Sequence, residues 1–119
     1  MQKSVLIFDD DVDILGILTY LLQEKGWVIS TRTTCANILG DIAEANPDVI
    51  LMDNWIPEAG GKAATKMIKA HQEYKSIPVV YFSANNDVEK LAQEAGADTF
   101  LAKPFDLDEL ERVLERAVQ

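Results

Sequence analysis

The sequence predicts an α/β fold in which five parallel strands carry helices on both faces. Two observations lead there. Short apolar runs alternate with segments of helical periodicity along the whole chain, and 119 residues divide into five strand-helix units of about 24 residues each. That length also suits one compact domain, residues 1–119, with a single core, and a 48% hydrophobic content is ordinary for a globular chain.

The first strand is Ser4 to Phe8, a short apolar run bounded by acids, as expected of a strand buried on both faces. A helix follows over Asp11 to Lys25, with Ile14, Leu15, Leu18, Leu21 and Leu22 at helical spacing and Gly26 placed to end it. Asp11 or Asp13 suits the helix start. Trp27 to Thr31 reads as the second strand and Thr34 to Ala45 as the second helix, capped by Thr33 or Thr34. After the breaker Asn46-Pro47 come a third strand, Val49 to Met52, and a third helix, about Gly61 to Gln72. Pro78 to Phe82 and Asp87 to Ala95, closed by Gly96, form the fourth pair; Thr99 to Ala102 and Asp106 to Val118 form the last. Trp27, Ile17, Leu110 and Leu114 are expected to pack in or near the core, and His71 to be solvated near a helix end.

A net charge of −9 repels phosphate backbones and anionic lipid, so direct binding to nucleic acid is not expected. No stretch reaches the roughly eighteen apolar residues of a membrane span, and the start Met-Gln-Lys-Ser-Val has no apolar segment with a cleavage site. The expectation is a cytoplasmic chain without a membrane partner. Its single cysteine, Cys35, has no partner for an internal disulfide and no metal-ligand spacing, and reads as a free thiol.

Parallel α/β sheets place their ligands outside the carboxyl ends of the strands. Asp9 and Asp10 end the first strand, Asp53 the third, Ser83 the fourth and Lys103 the fifth, so all five should meet at one edge. Two carboxylates about 4 Å apart repel by roughly 4 kcal/mol at an effective dielectric near 20. Something positive must offset that. Hard oxygen ligands suit Mg²⁺ or Mn²⁺, and Lys103 adds a point cation. Metal and lysine together would stabilise charge on a transferring phosphoryl group, with Ser83 donating a hydrogen bond to one of its oxygens. Asp53 is then the nucleophile that forms an acyl phosphate. Alone, Ser83 would read as a turn or cap residue and Lys103 as a solvated surface lysine; only their place in the set promotes them.

These residues resemble the signatures of response-regulator receiver domains from two-component phosphorelays. The resemblance rests on Val5-Leu6-Ile7-Phe8-Asp9-Asp10, Asp53 with Pro57 and Gly61 after it, Phe82-Ser83-Ala84 and Lys103-Pro104-Phe105, and it covers the whole chain. It implies a flavodoxin-like (βα)5 fold with strand order 2-1-3-4-5. It also implies Asp10 and Asp53 as direct Mg²⁺ ligands, Asp9 acting largely through water, the Trp55 backbone carbonyl as a further ligand, and a cis Lys103-Pro104 bond. The implied partner is a histidine kinase or histidine phosphotransfer protein, docking at the first helix and the Pro104-Phe105 loop. Ser83 and Phe100 are the implied switch residues, acting on the surface of the fourth helix, fifth strand and fifth helix. The downstream target, a separate protein or an attached output domain, is marked by no residue. The protein would be modified and reset by its own chemistry and would not be a turnover enzyme.

Three positions depart from the family pattern. Phe100 stands where Tyr is frequent, so the ring lacks a hydroxyl. Trp55 is bulky beside the phosphate and would slow attacking water, whereas Asn85 is placed to orient that water; the expectation is a long-lived phosphoryl group. Gly60-Gly61 replaces Asp-Gly and frees the loop before the third helix. Among rival readings, a haloacid-dehalogenase-type phosphatase is suggested by Phe8-Asp9-Asp10-Asp11 but leaves the Asp53 signature unexplained. A flavodoxin-like cofactor binder would want a Ser/Thr/Gly-rich loop where this chain has acids. A receiver used for docking alone usually loses part of the site, and here all five positions are filled.

Overall fold

A computed structural model describes residues 2–54, 60–84 and 86–119. The elements alternate as expected: β1 Ser4–Phe8, α1 Val12–Glu24, β2 Val28–Arg32, α2 Ile38–Ala45, β3 Val49–Asp53, α3 Gly60–Ala70, β4 Val79–Ser83, α4 Val88–Ala95, β5 Thr99–Ala102 and α5 Leu107–Ala117. The strands form one parallel sheet in the order β2-β1-β3-β4-β5. This is the doubly wound, flavodoxin-like order. β3 and β4 are buried along their whole length and β1 nearly so, which is why these strands are continuous apolar runs without alternation.

Side chains along each strand alternate between two cores. Leu6, Phe8, Ile50, Met52, Val79 and Tyr81 face α2, α3 and α4, where Ile38, Ile42, Ala64, Ile68, Ala92 and Ala95 cover them. Val5, Ile7, Val49, Leu51, Val80 and Phe82 face the other way, against Leu15, Leu18 and Leu22 of α1 and Leu110 and Leu114 of α5. Trp27, just before β2, is buried in this second core, as expected. Burying a side chain of Leu or Phe size contributes about 1.5–3 kcal/mol relative to leaving it in water, so the two layers hold the sheet from both sides.

The helix ends follow local chemistry. Asp11 caps α1, its carboxylate accepting the N–H groups of Asp13 and Ile14. α2 ends at Asn46 and α4 at Gly96, both with left-handed backbone at φ 46° and 85°. His71 lies just past α3, half-buried, its ring stacked on Tyr74.

Two expectations fail. α2 begins at Ile38, not Thr34, and neither Thr33 nor Thr34 caps it. The Thr34 hydroxyl instead accepts the Ala36 N–H at 3.4 Å, a local turn that competes with helix, while Cys35 is drawn into the core with its Sγ 3.9 Å from Met52 Sδ. Ile17 is not near the core but 59% exposed. Leu15, Leu18 and Leu22 define the inner face of α1, and Ile17, two residues after Leu15, lies about 200° round the helix from it.

Candidate functional site

Because the strands are parallel, their carboxyl ends share one edge, and there β1, β3, β4 and β5 bring Asp9, Asp10, Asp53, Ser83 and Lys103 into one cleft, joined by Asp11, Ile14, Asn54 and Ala84. Five of the residues singled out from the sequence therefore meet. The Trp55 carbonyl, Pro57 and Asn85 lie outside the described residues.

Asp9 and Asp53 are 1% and 5% exposed, whereas Asp10 is open to solvent. The three carboxylates each offer an oxygen within 4.8 Å of the others. Lys103 Nζ donates to Asp53 Oδ1 at 2.9 Å and to Asp9 Oδ2 at 3.2 Å, and stands 4.4 Å from the centre of the Phe82 ring. The second oxygen of Asp9 accepts the Asp11 N–H at 2.9 Å. Burial acts to lower the Lys103 pKa, but its hydrogen bonds and charge pairing with Asp53 and Asp9 outweigh burial and leave it raised. The ammonium is therefore a permanent cation at neutral pH. The Lys103-Pro104 bond is cis, as the resemblance implies, and the Lys103 N–H donates to the Ser83 carbonyl at 2.9 Å, tying the end of β5 to β4.

The donor set fits a divalent cation. Three carboxylates face one ammonium in a largely buried cleft, so negative charge is left over, and carboxylate oxygens are the ligands hard cations prefer. Both Asp9 oxygens already accept hydrogen bonds within the protein, while the exposed Asp10 carboxylate accepts none among the described residues. Asp10 is thus the freer ligand.

The Asp53 end of β3 is fixed by a glycine. A Cβ at Gly61 would lie 2.1 Å from the Asp53 backbone oxygen, so the start of α3 approaches β3 more closely than any side chain allows. The motif reading named Gly61 but not this contact. Sequence reasoning also missed Asn54 and Tyr81: the hydroxyl of the buried Tyr81 donates a hydrogen bond to Asn54 Oδ1. A tyrosine inside the otherwise apolar run Val79-Val80-Tyr81-Phe82 was the available signal, since a buried phenol needs a partner. Phe100 lies outside the cleft, 37% exposed on β5, in register beside Tyr81.

Comparison with known proteins agrees with this geometry. The family model described as response regulator receiver domain matches residues 5–115. The chain belongs to that family. This receiver is 35% identical over 121 residues, 99% of its length, to the DNA-binding transcriptional regulator NtrC of Escherichia coli, and 31% identical over 112 residues, 92% of its length, to the CAI-1 autoinducer sensor kinase/phosphatase CqsS of Vibrio cholerae. It spans only 25% and 16% of those relatives. Among solved structures it superposes with a TM-score of 0.89 and 25% identity on the receiver domain of the sensor histidine kinase PA1611 from Pseudomonas aeruginosa, covering 99% of this chain and 98% of that one; that structure has a magnesium ion coordinated in its active-site cleft. Receivers of this family thus occur on both response regulators and sensor kinases. No helix among the described residues is long and apolar enough to cross a membrane.

Proposed function

We propose that Asp53 is the phosphoacceptor of this receiver and that it takes its phosphoryl group from a phosphohistidine on a histidine kinase or a histidine phosphotransfer protein. The observation that carries this reading is the Lys103 ammonium bridging Asp53 and Asp9 at 2.9 and 3.2 Å, with the Asp10 carboxylate open beside them. An Asp53 oxygen attacks phosphorus, the phosphorus-nitrogen bond breaks, and the leaving imidazole nitrogen keeps the electron pair and takes a proton. Lys103 then neutralises charge on the phosphoryl oxygens, and Ser83, at the end of β4, donates its hydroxyl to one of them. Asp9 holds Lys103 in place. Water later attacks phosphorus, the Asp53–phosphorus bond breaks, and the carboxylate returns. The protein is modified and reset without acting as a turnover enzyme on a separate substrate.

Asp10 and Asp53 would hold Mg²⁺, or Mn²⁺ in its place, directly, with Asp9 acting mostly through water and the Trp55 carbonyl as a further ligand. When bound, that ion would offset negative charge on the entering phosphoryl group. Phosphoryl oxygens drawing Ser83 inward would shift Phe100 and remodel the α4, β5 and α5 surface, which carries the signal to a downstream protein or an attached output domain. The kinase or phosphotransfer protein would dock on the apolar groove lined by Ile14, Ile17, Leu21, Pro104 and Phe105. The net charge of −9 disfavours a nucleic-acid partner, and a cytoplasmic location fits a phosphohistidine donor. Incubation with Mg²⁺ and acetyl phosphate, followed by intact mass, tests the reading. The parent should gain one phosphoryl group and Asp53→Asn none; no gain in the parent, or equal gain in both, refutes it.

A further inference from the structure

Tyr81 is the residue in the fold that the acceptor chemistry leaves unexplained. It lies fully buried in β4, two residues before Ser83, facing α3 and α4, yet it carries a polar hydroxyl. That hydroxyl reaches the strand end and donates to Asn54 Oδ1, the side chain directly after Asp53. Asn54 is fastened three ways. Its N–H donates to the Phe82 carbonyl at 3.1 Å, its side chain accepts from Tyr81, and its carbonyl accepts the Gly61 N–H at 3.4 Å. It also lines the cleft with Asp9, Asp10, Asp53, Ser83 and Lys103.

The two backbone bonds alone would leave the Asn54 side chain free to rotate. The bond from Tyr81 adds a third anchor, the one that holds the side chain, and so narrows the orientations open to the acceptor. The same tyrosine has Met52 on one side in register and Phe100 on the other. Residues in register on neighbouring parallel strands point to the same face, so Tyr81 separates the acceptor strand from the half-exposed ring of β5. Burial, then the nearby charge of Asp53, pushes the Tyr81 pKa up to about 12, so the phenol keeps its proton and remains a donor.

We propose that Tyr81 is a positioning residue for the acceptor: through Asn54 it holds the backbone that follows Asp53 against β4, and so sets how fast Asp53 gains its phosphoryl group. This rests on the assignment of Asp53 as acceptor. The pair acts as one unit, because neither partner has its role without the other.

The test is a double-mutant cycle on the full chain with Tyr81→Phe, Asn54→Ala and the two combined. Initial rates of phosphoryl gain from acetyl phosphate at saturating Mg²⁺ are read by intact mass, with thermal midpoints alongside. Each single variant should slow uptake about fivefold, the rate equivalent of one ordinary hydrogen bond, and the double variant should be no slower than either. Tyr81→Phe keeps the core ring, so it reports even if Asn54→Ala fails to fold. A lowered midpoint with an unchanged rate in Tyr81→Phe would show a merely structural bond and overturn the proposal. Rate losses that multiply in the double variant would also overturn it. A parent that takes up no phosphoryl group overturns the acceptor assignment, and this inference with it; an active parent matched by Tyr81→Phe overturns this inference alone.

Discussion

A methyl group added at Gly61 would sit 2.1 Å from the backbone oxygen of Asp53 and 3.1 Å from both the Asp53 carbonyl carbon and the Asn54 Cα. Real Cβ atoms do not come closer than 3.0 Å, so about 1 Å of movement must come from α3 or from the end of β3. Neither yields easily. β3 is buried along its length, and α3 is tied at this turn by the Thr65 hydroxyl on the Gly61 carbonyl at 2.8 Å. Forcing a methyl into a packed site costs about 1–3 kcal/mol, while the better helix propensity of alanine returns at most about 1 kcal/mol. Gly61→Ala should therefore lose about 1–2 kcal/mol of stability and slow phosphoryl uptake, since the strain falls on the carbonyl of Asp53, the proposed acceptor. Gly16, inside α1, provides the control, because a Cβ there meets nothing within 4 Å. Gly16→Ala should gain about 1 kcal/mol from propensity alone. Urea unfolding followed by far-ultraviolet circular dichroism measures both. Shifts of the same sign in the two variants, or a Gly61→Ala protein as stable as the parent, would refute the close-approach argument.

Mg²⁺ should stabilise the parent, by about 1.4 kcal/mol at ten times its dissociation constant, and stabilise Asp10→Asn less at the same concentration; equal gains in a thermal melt would remove Asp10 from the ligand set. Stability should fall as pH rises from about 9 toward 12. Cys35 is pushed up to about 12 by burial and then by Asp41, Tyr81 likewise to about 12 by burial and then by Asp53, and Lys103 is raised by Asp53 and Asp9 in spite of burial. The unfolded chain releases these protons first, so deprotonation favours unfolding, and Cys35→Ala or Tyr81→Phe should flatten the decline in urea midpoint with pH. A decline equally steep in both variants would contradict the raised values. Ile17→Ser should change stability by no more than about 0.5 kcal/mol, whereas Leu18→Ala next to it should cost about 3 kcal/mol; comparable losses in chemical denaturation would place Ile17 back in the core.

The alternation of apolar runs and helical patterns was enough to predict all ten elements in order, because a parallel sheet buried on both faces demands such runs and its crossovers demand helices. The acids and the lysine at the strand ends were legible for the same reason: charged groups directly after buried strands have few structural explanations. Local competition was less visible. The hydroxyl of Thr34 and the burial of Cys35 delayed α2 to Ile38, since a turn and a helix suit the same residues until the core claims one of them. Ile17 is apolar but lies off the face set by Leu15, Leu18 and Leu22, and which apolar residues of α1 form the inner face is settled by how the helix lies against the sheet.

The sequence by itself determined the fold class, the edge at which Asp9, Asp10, Asp53, Ser83 and Lys103 meet and the identity of those residues, because these follow from periodicity and from residue type at strand ends. Tertiary structure alone decided how those residues are joined: Lys103 bridging carboxylates 50 and 94 residues away in the chain, Gly61 clearing the Asp53 carbonyl, and Tyr81 holding Asn54. Such contacts depend on strand order and register, which bring together groups that no local pattern connects.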